Sequence, residues 1–307
     1  MSVTARDFQV LLISGYARRF IRNQQNAQNN VITFNIIKAC VMFYNGFSYH
    51  VEIPFDSFPI TEEECESKCH PLSWSNCDGT TFDVRRGPNY VDGKKSKSKA
   101  SFYTIFKFEG YKTPFKMHQL WKYLHPDFDE SFKSETSQFA LTNNKQYPLP
   151  PILFINIMIP NYQPQMGKNG KKDGPGYQKI IYGHLSEITY KKLDKYCNGK
   201  SKKKLPISPS IKLLSNFILN DTKKTNKVRE RFKIIPRIMN GKYSKFGFLA
   251  NKMINKYNSK PFLAKTSTKY YYEPGKYFGI DIDIHSFSFA AKKGLKFSKR
   301  YNSQCYI

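Results

Sequence analysis

Pro150-Pro151-Ile152-Leu153-Phe154-Ile155-Asn156-Ile157-Met158-Ile159-Pro160 is the stretch on which the fold turns. It is an apolar run with one polar residue, Asn156, and prolines at both ends. Proline cannot donate to a strand ladder, so it marks strand ends. The run predicts a strand over 152–159, well short of the ~18–20 apolar residues that span a bilayer. A second strand signal lies near the C-terminus, in Gly279-Ile280-Asp281-Ile282-Asp283-Ile284-His285. Alternate strand residues share a face. Asp281, Asp283 and His285 therefore line one side, which Gly279 leaves open, and Ile280, Ile282 and Ile284 line the other. Tyr270–Tyr272 is expected to pair with Tyr277–Ile284 as a hairpin turning on Glu273-Pro274-Gly275.

Outward from these strands the pattern is mixed. Phe47–Phe58, Thr81–Tyr90, Ser101–Phe108 and Phe232–Ile238 read as extended. Ser186–Tyr196 and Ser208–Leu219 read as helices, the second with Ser208 as N-cap and Pro209 at its first position. Thr4–Arg22 carries Phe8, Leu11, Leu12, Tyr16 and Phe20 at helical spacing. Thr33–Tyr44 is a second helix or a strand, stopped at Asn45-Gly46. Phe128–Gln146 is polar and reads as a surface excursion, Gln163–Gly176 as a mobile loop, and Lys94–Lys99 as a loop of alternating Lys and Ser. No repeat, heptad seam or βαβ alternation appears. The expectation is an α+β fold, a mainly antiparallel sheet with packed helices, preceded by an N-terminal helical segment. Residues 1–60 are assigned to a helical hairpin or extension and 70–307 to the main domain.

Of 307 residues, 40% are hydrophobic and 16% aromatic, enough for a substantial core. The net charge is +27, placed unevenly. Residues 1–164 carry 18 Lys+Arg against 15 Asp+Glu; residues 165–307 carry 32 against 8, a net of +24. Coding bias toward lysine acts on both halves alike and leaves this asymmetry unexplained. Such asymmetry points to an anionic partner. Lysine outnumbers arginine forty to ten. Lysine supplies point charges suited to diffuse anionic surfaces, whereas bidentate reading of bases or phosphates favours arginine. The candidate anion-binding residues are Lys94, Lys95, Lys97, Lys202, Lys203, Lys204, Lys223, Lys224, Arg229 and Arg231. Tyr270-Tyr271-Tyr272 is the one candidate base-stacking cluster, and core packing is its expected use.

Other chemistry is thinly supported. Asp281, Asp283 and His285 on one face could hold a divalent metal; ion pairing to lysines is the expected use. Cys65, Cys69 and Cys77 are weak zinc candidates, because Cys-x3-Cys is an uncommon knuckle and no second pair flanks it. No nucleophile elbow, Walker A loop or dinucleotide fingerprint occurs. Neither a catalytic site nor a cofactor is expected. No secretory signal or transmembrane run is visible, so the six cysteines are expected as free thiols.

Four motifs in order bear a resemblance to one family: Trp74 with Phe82-Asp83-Val84-Arg85-Arg86-Gly87-Pro88-Asn89-Tyr90 and Lys94-Lys95; Phe154–Pro160; Arg231-Phe232-Lys233-Ile234-Ile235-Pro236 with Gly241; and Lys260-Pro261 with Tyr277–Asp283. Together they resemble the C-terminal domain of the plant enhanced disease resistance 2 protein, here as a nearly stand-alone domain. In plant members that domain follows pleckstrin-homology and START domains, which supply the membrane and lipid link. The resemblance carries over no chemistry of its own. It singles out Arg85, Asn156, Lys233, Asp281 and Asp283 as motif members, forming a shared polar site or an ion-pair network. The expectation is a non-catalytic, cytoplasmic, peripherally membrane-associated protein that docks on anionic phospholipid and binds lipid by association with the family. The alternatives are an RNA-binding protein, or a basic scaffold subunit that meets an acidic protein partner.

Overall fold

The structure is a computed structural model that describes residues 11–12, 39–44, 47–52, 58–59, 73–74, 76, 78–85, 93–138, 149–166, 170, 172–198, 207–219, 229, 232–235, 260–264 and 266–293. In chain order its strands are β1 (Leu11–Leu12), β2 (Ala39–Tyr44), β3 (Phe47–Glu52), β4 (Phe58–Pro59), β5 (Ser73–Trp74), β6 (Asp83–Arg85), β7 (Lys95–Lys97), β8 (Tyr103–Thr113), β9 (Ile152–Pro160), β10 (Gly176–Leu185), β11 (Lys233–Ile234), β12 (Phe262–Leu263), β13 (Thr268–Glu273) and β14 (Tyr277–Asp283). The helices are α1 (Leu120–Leu124), α2 (Phe128–Ser131), α3 (Lys133–Gln138), α4 (Glu187–Asn198) and α5 (Pro209–Leu219). The fold is α+β, as expected.

One eight-stranded sheet runs in the order β1-β2-β3-β8-β10-β9-β14-β13. Its ladders are antiparallel except between β9 and β14, which pair in parallel with Asn156 opposite Asp281. The proline-bounded run is thus a central strand. The β13–β14 hairpin also forms as expected, and Gly275 there takes φ +73, a conformation that disfavours a side chain. Strand β14 stops at Asp283, whose side chain caps a 3-10 turn at Ile284–Ser286, so His285 lies beyond the strand.

Several expectations need correction. Residues 177–185 carry no expected element, yet β10 is central and pairs with both β8 and β9. Its buried face opens with Gly176 and the polar Gln178, which blur the apolar alternation. Phe128–Gln146 is not merely a surface excursion: Phe132 is buried and Phe128 packs against the core. The Lys/Ser alternation at 95–97 is a strand period, not a loop; lysines point outward, and β7 pairs with β6. In the N-terminal segment, Leu11–Leu12 and Ala39–Tyr44 are strands, where helices were expected or allowed. Tyr44 pairs with Phe47 across Asn45-Gly46, a dipeptide that favours tight hairpins as well as helix ends. The rest of Thr4–Arg22 and the expected helix 251–257 lie outside the described residues.

The sheet is covered on both faces. On one, Ile152, Phe154, Ile180, Tyr182 and Tyr277 meet Met117, Leu120, Trp121 and Phe132 from the segment after β8. Rings dominate this core; Trp121 stacks on Phe154 with centroids 5.2 Å apart. On the other face, Phe278, Ile280, Ile282 and Ile284, with the odd-numbered β9 residues, meet Leu193 of α4 and Ile211 and Ile218 of α5. Both helices are capped by serine, with Thr189 N donating to Ser186 Oγ and Ile211 N to Ser208 Oγ, each at 3.3 Å.

Gly279 does not leave its face open. The Trp121 ring fills the space that a side chain there would take, its Cη2 lying 2.6 Å from an added Cβ. Gly279→Ala is expected to destabilise the protein by about 1–3 kcal/mol through overpacking. Urea unfolding checks this, and an unchanged midpoint would contradict the packing described.

Candidate functional site

A buried polar cluster sits between the aromatic core and the β14 end of the sheet. Asn156 on β9 and Asp281 on β14 are register partners, and both are fully buried. An isolated buried carboxylate costs several kcal/mol unless donors surround it. Here Asn156 Nδ2 donates to Asp281 Oδ1 at 2.9 Å, His118 Nδ1 donates to Oδ2 at 2.8 Å, and the backbone N–H of Gln119 reaches both oxygens at 3.3 and 3.2 Å. With Nδ1 as donor, His118 leaves Nε2 to accept from Lys269 Nζ at 3.3 Å.

Two of these donors, His118 and Gln119, come from the 114–119 loop, which enters the cluster through Met117. Met117 O accepts from Asn156 Nδ2 at 3.0 Å and from Gln178 Nε2 at 2.8 Å, and Met117 N donates to Gln178 Oε1 at 2.7 Å. Gln178 Nε2 also donates to Asn156 Oδ1 at 3.0 Å. Three strands thereby grip one loop. Gln119 is, among the described residues, the non-glycine with a positive φ, at 52. That conformation is uncommon for a residue with a side chain. It lets the Gln119 N–H face Asp281 as α1 begins.

Two residues further along β14, Asp283 Oδ2 accepts from Lys116 Nζ at 2.9 Å and Ser286 Oγ at 2.6 Å. Burial pushes the Asp283 carboxyl up, and the Ser286 hydroxyl and Lys116 more than offset this, so it titrates below its usual range. His285 is buried and shares a hydrogen bond with Tyr162 OH through Nδ1 at 3.1 Å. Burial lowers it to about 4 against the opposing pull of Asp283 and Asp173. Asp281, Asp283 and His285 thus have separate protein partners rather than one common centre. No cluster of three or more His, Cys, Asp or Glu placed to hold a metal occurs among the described residues.

A second cluster borders the aromatic core. Glu109 Oε2 accepts from Tyr182 OH at 2.6 Å and Tyr111 OH at 2.8 Å, and Lys107 Nζ reaches Oε1 at 2.8 Å. His125 Nε2 meets Tyr182 OH at 3.2 Å, and burial with nearby Lys107 lowers it to about 4.

The structure therefore unites Asn156 and Asp281 of the motif residues, with Asp283 beside them through Lys116. Arg85 belongs to the separate β6–β7 pair. Lys233 lies in the β11–β12 pair, whose Phe232 and Ile234 pack in the core on the opposite sheet face. Lys116, Met117, His118 and Gln178 were not singled out in the sequence; a polar Gln178 opening an otherwise apolar alternation was the available signal. Among the anion-binding candidates, Lys94, Lys95 and Lys97 are exposed, with Lys97 3.1 Å from Asp83. Arg229 instead closes α5, donating to Phe217 O at 3.0 Å and Ile218 O at 2.8 Å while lying over the Tyr270 ring. Lys202, Lys203, Lys204, Lys223, Lys224, Arg231, Cys65, Cys69 and Cys77 lie outside the described residues.

The fold is an α+β sheet covered on both faces, with one loop pinned by buried amide and carboxylate side chains. The family described as Protein ENHANCED DISEASE RESISTANCE 2, C-terminal, matches residues 74–307, and the chain belongs to it. No curated protein and no solved structure matches the chain.

Replacing Asp281 by Ala leaves buried donors of Asn156, His118 and Gln119 without an acceptor. The expected loss is about 3–5 kcal/mol in chemical unfolding; a loss under about 1 kcal/mol would contradict the role given to this carboxylate. Stability is also expected to depend on pH through His125 and His285. Both titrate near 4 when folded and near 6.5 when unfolded, so the unfolded chain takes up protons that the folded one refuses. Their contribution is complete above about pH 6.5 and falls as pH drops toward about 4. Unfolding titrations between these values should show the decline, with a shallower slope for His285→Gln.

Proposed function

We propose that the domain is a non-catalytic module that docks on anionic membrane surfaces. One observation carries this reading. The second half of the chain has 32 basic residues against 8 acidic ones, and four of those acids, among the described residues, are buried or locally paired. Asp281 has no exposure, and Asp283 is held by Lys116 and Ser286. Glu187 pairs with Lys191 at 2.6 Å, and Asp173 accepts from the backbone of Lys116 and Gly174. Among the described lysines of this half, Lys292 is buried, while Lys191, Lys192, Lys195, Lys212, Lys269 and Lys293 are exposed. Near an anionic leaflet each such lysine contributes ~1 kcal/mol of attraction.

Two further points support the reading. Among the described residues no helix is long and apolar enough to cross a membrane. The tyrosines at 270–272 are spent on packing, with Tyr271 edge-on to Trp121 and Tyr270 stacked on Phe278. Packing leaves less ring surface at 270–272 for a single-stranded RNA to stack on, which supports the membrane reading over the nucleic-acid one.

The protein is expected to float with phosphatidylcholine vesicles that contain phosphatidylserine, not with pure phosphatidylcholine, and to lose binding as salt rises. Failure to float at physiological salt, together with tight and salt-steep binding of single-stranded RNA, would turn the assignment to nucleic acid.

A further inference from the structure

We propose that the membrane-facing surface is the outer side of α4 and α5, where Ile188, Leu213 and Leu219 enter the bilayer interface while Lys192, Lys195 and Lys212 meet anionic headgroups. This rests on the membrane reading above and adds to it the place of contact.

Both helices bury one side in the same core, α4 through Leu193 and α5 through Ile211 and Ile218. Their other sides consequently face away from the sheet together. On α4 the outward stripe is Ile188, Lys191, Lys192 and Lys195, all exposed and at helical spacing. On α5 it is Lys212, Leu213, Asn216 and Leu219, again all exposed. Among the described residues five large hydrophobic side chains are exposed, and three of them are here: Ile188 at 55%, Leu213 at 59% and Leu219 at 42%.

A helix needs only one apolar side to pack on a sheet. A second set of apolar residues on the opposite side packs on nothing among the described residues and costs solubility. Aliphatic residues beside lysines on the outward side supply the two attractions by which helices bind an anionic membrane interface, buried apolar area and charge. Charge complementarity selects the occupant. Among the described residues the carboxylates flanking the outward stripe are Glu187, which pairs with Lys191, and the half-buried Asp194. The remaining lysines favour an anionic bilayer over a neutral one, and the aliphatic residues favour a bilayer over a nucleic acid.

Vesicle co-sedimentation with phosphatidylserine-containing vesicles tests this on the full chain. The unmodified protein is expected to bind, and Ile188→Asp/Leu213→Asp to bind at least about tenfold more weakly. Circular dichroism should be unchanged, since both positions are exposed. Independently, the emission of a Leu213→Trp variant is expected to shift to the blue on adding vesicles and to be quenched by brominated acyl chains. If the unmodified protein binds but the double variant binds equally well, or the Leu213→Trp emission does not move, the proposed surface is wrong while the membrane reading stands. If the unmodified protein binds RNA and no vesicle, both fail.

Discussion

A carboxylate without solvent sits at the centre of this fold. Asp281 is on the parallel pair of strands β9 and β14, opposite Asn156, and has no water to hydrate it. Its charge is tolerable only because three different groups converge on it, an amide, an imidazole and a backbone N–H. Two of the three come from one loop. Satisfying the carboxylate therefore fixes that loop's path, including the positive φ of Gln119. That path delivers Trp121 over Gly279 and starts α1 against the aromatic core. The polar cluster and the aromatic cluster are one structural arrangement, with the donors at one end and the rings at the other.

Much of the sheet was readable because its signals are local. Proline bounds β9, a Pro-Gly turn joins β13 to β14, and serine caps open α4 and α5. The alternation across Asp281 and Ile282 assigned the two faces of β14 correctly. The polar side, however, is not an open surface, because whether a face is exposed depends on what packs over it. Trp121 lies 158 positions before Gly279 in the chain, and nothing near Gly279 announces it. The same holds for His118 and Gln178. Their roles come from the register of three strands and one loop, not from any short motif.

The misreadings have physical causes of the same kind. Lys95–Lys97 alternates with serine as a strand does, but its charge suggested a loop. Asn45-Gly46 ends helices and turns hairpins equally well, so it could not decide the state of the residues before it. The family resemblance was legible, since its motifs include Phe154–Pro160 and Tyr277–Asp283, the two strands of the parallel pair. Asn156 and Asp281 are the members of those motifs that touch. Their pairing is a structural reason for both to be motif residues, and it requires no ligand.

The same arrangement bears on charge. A domain with few acids in its second half commits two of them, Asp281 and Asp283, to holding its own loop in place. What they hold consists of Lys116 and His118 with backbone donors, so the interior is balanced locally. Arg229 is likewise drawn inward, to the carbonyl end of α5, where a cation suits the helix dipole. Lys192, Lys195 and Lys212, by contrast, stand exposed on the helical layer. Burying Asp281 and tying Asp283 to Lys116 thus satisfies the interior and also withholds two carboxylates from an exterior that still carries Asp129, Asp173 and Glu187. Moving either acid to the surface would both weaken the loop's anchorage and dilute the positive field.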